Sequence, residues 1–62
     1  MGKQISYQAM LVRLDILYGD GIFFVDDAMR KHKQITGSRA KWKDPVPGEV
    51  ISYIEKKYGI KI

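Results

Sequence analysis

Apolar side chains recur at the three-and-four spacing of one helical face from Tyr7 onward, through Met10, Leu11, Leu14, Leu17 and Tyr18. Ser6 stands before them as an N-cap and Gly19 follows as a C-terminal stop, so the pattern predicts a first helix over 7–18. Ala9, Val12 and Ile16 fall on its other sides, leaving Gln8, Arg13 and Asp15 as the clearly polar positions. A helix apolar nearly all round is expected to be buried nearly all round, and a chain of 62 residues has little with which to cover it. A homodimer or a docked protein partner is therefore expected, with Val12 and Ile16 in the interface.

The next residues, "YGDG", predict a turn, because two glycines flanking an Asp supply backbone freedom and local hydrogen bonding. Ile22 to Val25 are β-prone and apolar, suited to a short strand or to the hydrophobic lead into a second helix. If extended, Phe23 and Phe24 point to opposite faces, and one of them joins Val12 and Ile16 in an exposed apolar patch. Asp26 or Asp27 would cap the second helix, with Arg30, Lys31 and Lys33 toward its negative end. Ala28, Met29, His32 and Ile35 share its inner face, Arg30, Lys31, Lys33 and Gln34 its outer one, and Gly37 closes it.

"SRAKWKDPVPGE" reads as a loop, or as one helical turn capped by Ser38 and anchored in the core by Trp42. Pro47 suits the first position of a third helix that carries Val50, Ile51, Ile54 and Tyr58 on one face and ends at Gly59. Ile60 and Ile62 alternate with Lys61, so the C-terminus folds back either as a hydrophobic clasp or as a short strand on residues 22–25. The expected fold class is mainly α: a single small three-helix domain over 1–62, with a two-stranded pairing of 22–25 and 60–62 as an added element.

Composition narrows the function more than the fold. No cysteine is present, so neither a disulfide framework nor a thiolate zinc site is available, and an intracellular location, cytoplasmic or nucleoid-associated, is expected. No apolar run approaches the roughly 20 residues that span a bilayer, and "MGKQISYQAM" lacks the order of a secretion signal, so no membrane association is expected. Gly2 and Ser6 meet the spacing of a myristoylation pattern, with no other feature supporting it.

Charge is segregated along the chain. Residues 1–27 hold Lys3 and Arg13 against Asp15, Asp20, Asp26 and Asp27, and residues 44–62 balance Lys56, Lys57 and Lys61 against Asp44, Glu49 and Glu55. Between them Arg30, Lys31, Lys33, Arg39, Lys41 and Lys43 stand with no acid at all, so the formal net charge of +4 belongs to the middle of the chain. An ordinary solvated face mixes its signs. The run predicts contacts to an anionic polymer: these six side chains on phosphates, Trp42 free to stack on a base, Gln34 or Ser38 to hydrogen-bond, and backbone N–H groups of Gly37 and Ser38 near the same phosphates. Six phosphates would make affinity fall about a thousandfold between about 50 and 200 mM salt. The competing account makes Arg30, Lys31 and Lys33 the solvated side of an amphipathic helix and Trp42 a core anchor.

Catalytic and metal chemistry find little to work with. The single His32 has no Ser or Cys beside it to activate, and its place on an apolar face predicts a hydrogen-bonded, half-buried imidazole. Helix, "YGDGIFFVDD" and helix together resemble an EF-hand-like unit in outline, over about a third of the chain. With Gly21 at the sixth loop position the first and third ligands become Ile16 and Tyr18, so calcium coordination is not implied. A helix-turn-helix register puts Asp27 or Lys43 where a buried aliphatic residue belongs. No catalytic residue, metal ligand or cofactor is assigned. The expected function is nucleic-acid binding, DNA before RNA, through a basic helix and loop; the alternative is a protein-binding adaptor or inhibitor that docks through the surplus apolar side chains of the first helix.

Overall fold

A computed structural model describes residues 5–62. Lys3 and Gly2, with its acylation pattern, lie outside the described residues. The described residues form three helices, α1 (Tyr7–Tyr18), α2 (Gly21–Thr36) and α3 (Gly48–Tyr58), with α2 packed against both of the others.

α1 keeps the predicted bounds. The Ser6 Oγ accepts the Ala9 N–H at 3.1 Å, and the Gly19 N–H donates to the Asp15 carbonyl from a left-handed conformation (φ 80°) that a side chain would strain. Tyr7, Met10 and Leu14 are fully buried, whereas Val12, Leu17 and Ile16 are 53%, 55% and 78% exposed. The expectation that α1 would be buried nearly all round is not met within the chain. Its one helical neighbour, α2, covers a single face.

α2 begins six residues earlier than an Asp26 cap implies, and the strand expected over 22–25 is its first turn. The reason lies in the contact with α1. Gly21 comes so close to α1 that a Cβ there would stand 2.3 Å from the Leu11 carbonyl oxygen, and the Gly21 N–H donates to the Asp15 carboxylate. Asp15, on the preceding helix, thus satisfies an N-terminal donor of α2, the role the sequence assigns to Asp26 or Asp27. Gly21, Val25, Ala28 and His32 then fall at alternating four- and three-residue steps and are all buried. A strand would have forfeited that stripe. Ile35, placed on the inner face by its spacing, is 37% exposed in the last turn.

The segment between α2 and α3 is a loop, not a helical turn. It runs beside the start of α1, where the Tyr7 and Gln8 N–H groups donate to the Asp44 and Trp42 carbonyls at 3.1 and 3.0 Å, and the Val46 N–H donates to the Ile5 carbonyl at 2.7 Å. The first two bonds occupy donors that an α-helix leaves unpaired at its N-terminus. Val46 is buried, while Trp42 is 44% exposed and is no core anchor. Pro47 becomes the cap of α3 rather than its first residue, its carbonyl accepting from Val50 and Ile51.

Past Gly59 the chain closes as the clasp. The Arg13 guanidinium donates to the Ile62 carbonyl at 2.9 Å, the Ile62 N–H donates to Glu55 Oε2 at 3.1 Å, and Ile60 and Ile62 pack on the core. Residues 60–62 therefore hold α1 to α3 and form no strand with 22–25. Among the described residues the only β feature is an isolated bridge between Ser6 and Pro45. None of the described helices is long and apolar enough to cross a membrane.

Candidate nucleic-acid interface

The positions three residues apart on the outer side of α2, Arg30 and Lys33, stack one turn above the other. After Gly37 the chain reverses, and Arg39, Ala40 and Lys41 return alongside them. Together with Asp26 and Met29 these residues line an open depression of about 650 Å³. Four of the six predicted cations are thus brought to one place by a helix and the loop that follows it.

One acid stands among them. Asp26 pairs with Arg30 at 2.9 Å, four residues along the helix, with both side chains mostly exposed. Such a pair is worth about 0.5 kcal/mol or less in water, so it leaves the guanidinium free to exchange a carboxylate for a phosphate.

The remaining predicted contacts separate from this group. Lys31 turns toward α3, with its ammonium 4.9 Å from the centre of the Tyr53 ring. Trp42 and Lys43 are exposed in the next turn and do not line the depression. The backbone donors expected to reach phosphate are already committed: the Gly37 N–H donates to the Lys33 carbonyl at 2.8 Å and the Ser38 N–H to Thr36 Oγ1 at 3.1 Å. Helix closure and a local turn claim them first.

The predicted apolar interface also divides. Val12 and Ile16 line an open groove of about 640 Å³ on the outer side of α1, with Ala9, Arg13, Leu17 and Ile62. Phe23 is 53% exposed but borders a different depression, beside Asp20 and Lys57. Phe24 is half-buried, its ring centre 5.8 Å from that of Tyr18 and 5.2 Å from that of Tyr58.

Two polar clusters join distant parts of the chain. His32 shares a hydrogen bond of 2.8 Å with the Tyr7 hydroxyl in the core, the satisfied imidazole its apolar setting predicts. Burial, and then the charge of Asp44, push the Tyr7 hydroxyl up to about 12. The second cluster carries no sequence signal, because its parts lie 26 to 31 residues apart. Asp27, expected to cap α2, instead accepts from Tyr53 at 3.1 Å, from Lys57 at 2.8 Å and from Tyr58. Burial alone would push its carboxyl up, but the hydrogen bonds from Lys57, Tyr58 and Tyr53 together outweigh it and hold Asp27 below the ordinary carboxylate value. The bond to Asp27, then that to the Tyr53 hydroxyl, push Lys57 up, and the bond to Asp27, then burial, push Tyr58 up. This cluster fastens α2 to α3. No group of His, Cys, Asp or Glu among the described residues is placed to hold a metal ion.

No protein-family model matches the chain, and no curated protein or solved structure matches it either.

Proposed function

We propose that this protein binds nucleic acid, with DNA the first substrate to test, through the depression between α2 and the loop after it. One observation carries the reading: Arg30, Lys33, Arg39 and Lys41 converge there against a single exposed acid. The interaction is electrostatic and non-catalytic, and it implies an intracellular site of action. Four phosphates, rather than the six counted along the sequence, lower the expected salt dependence: affinity for duplex DNA falls about 100-fold to 200-fold between about 50 and 200 mM salt. Changing Lys33, Arg39 and Lys41 together to Glu abolishes binding at low salt if this is the site. A triple variant that binds as the parent does refutes it.

A second function, docking of a protein on α1, is favoured by the exposure of Val12, Ile16 and Leu17 in one apolar groove. Its test is the mass of the free protein in sedimentation, before and after Ile16→Lys. A monomer in both cases removes self-association through α1.

A further inference from the structure

Trp42 is the only tryptophan of the chain, and it lies outside the hydrophobic core. It is absent from the hydrophobic core and from the apolar side chains packed against that core, and it stays 44% exposed. Its backbone is nevertheless held tightly. The Lys41 N–H donates to Asp44 Oδ2 and the Asp44 N–H returns to the Lys41 carbonyl, both at 3.0 Å. The carbonyl of Trp42 itself accepts from Gln8 at 3.0 Å, and that of Asp44 from Tyr7 at 3.1 Å. A turn fixed at four points thus presents a partly exposed indole, at little further entropic cost to a partner that uses it.

From this placement, and resting on the nucleic-acid reading above, we infer that the ligand is a single strand, one base of which stacks on Trp42 while the adjoining phosphates occupy the basic depression. Lys41 lines that depression and Trp42 follows it directly, about 3.8 Å along the Cα trace. A phosphate held by Lys41 therefore leaves its own base within reach of the ring. In a duplex that base is paired and stacked between neighbours, so its face is closed to the indole; in a single strand it is open, whatever its identity.

The fluorescence of the lone Trp42 reports the contact directly. The intact chain is titrated at low salt with an oligothymidylate of about 12 nucleotides, with its duplex of equal length, and with an abasic strand of the same backbone. The single strand is expected to bind at least about tenfold tighter than the duplex and to quench Trp42, and the abasic strand to bind more weakly without quenching. Trp42→Ala is expected to lower single-strand affinity about tenfold with an unchanged salt slope, and Trp42→Phe to restore most of it. Equal affinity for single strand and duplex, with no quenching and no effect of Trp42→Ala, overturns the single-strand inference and leaves electrostatic binding in place. Absence of binding to all three oligonucleotides, or binding that survives reversal of Lys33, Arg39 and Lys41, overturns the nucleic-acid reading itself.

Discussion

Gly21 and Gly48 each open a helix, and replacing each by Ala separates the two reasons a helix can begin with glycine. At Gly48 an added Cβ meets nothing within 4 Å. At Gly21 it would stand 2.3 Å from the Leu11 carbonyl oxygen, 2.8 Å from Asp15 Oδ1 and 2.9 Å from the Asp15 nitrogen. Two of those three atoms are backbone of α1, so no side chain can rotate out of the way. Restoring an ordinary contact needs α2 to withdraw by about 1 Å, the difference between 2.3 Å and a normal carbon–oxygen separation of at least about 3.3 Å. That movement stretches the Gly21 bond to the Asp15 carboxylate and lifts Val25 and Ala28 from a core that is otherwise closed. Overpacking of this kind costs about 1–3 kcal/mol, and loss of a hydrogen bond to a charged group costs about 1.5–3. Against these stands at most about 1 kcal/mol of helix propensity and unfolded-state entropy gained by Ala. Gly21→Ala is therefore expected to lose about 2–4 kcal/mol, which for so short a chain lowers Tm by at least about 10 °C. Gly48→Ala keeps the gain without the clash and is expected to be neutral or up to about 1 kcal/mol more stable. Urea unfolding followed by circular dichroism at several wavelengths measures both. Equal stability of the two variants, or a Gly21→Ala protein as stable as the parent, would show that α1 and α2 do not meet at this distance.

Tyr7→Phe leaves His32 Nδ1 buried without its partner and is expected to cost about 1–3 kcal/mol near neutral pH. The Tyr7 hydroxyl is raised from an ordinary 10 to about 12, so the stability tied to its neutral form is complete below about pH 10 and is lost as pH rises toward 12. Tyr7→Phe should accordingly lose less stability than the parent over that alkaline interval, and parallel curves would refute the assignment. For Asp27 the sign is opposite. Its folded value lies below the unfolded one, so its contribution is complete above about pH 4 and disappears as pH falls through the lower folded value. Asp27→Asn should be less stable than the parent at neutral pH and should show a shallower loss of stability on acidification, read from denaturation midpoints at matched pH.

Helix existence was legible from local chemistry alone. Ser6 before an apolar stripe and a glycine after each helix mark ends that depend on a few neighbouring residues, and those ends stand where capping rules put them. The basic middle of the chain was legible for the same reason, since charge is a property of composition. What local chemistry could not settle was any feature whose partner lies far along the chain. Ile22 to Val25 have the side chains of a strand, and only the close passage of Gly21 across Leu11 and Asp15 makes them the first turn of α2. Asp27 looks like a cap until Tyr53, Lys57 and Tyr58 of α3 surround it.

The candidate site divides along the same line. Which side chains carry positive charge, and that Lys33 follows Arg30 on one face of a helix, can be read from the residues alone, because helical period and ionisation are local. The return of Arg39 and Lys41 to that face, the departure of Lys31 toward Tyr53 and the place of Trp42 outside the core come from packing between distant segments. The positions of Arg39, Lys41 and Trp42 depend on the path of the loop, which is set by its bonds to Ile5, Tyr7 and Gln8 at the start of α1. Residues more than 30 positions apart hold that path, and nothing in the run of lysines and arginines encodes it.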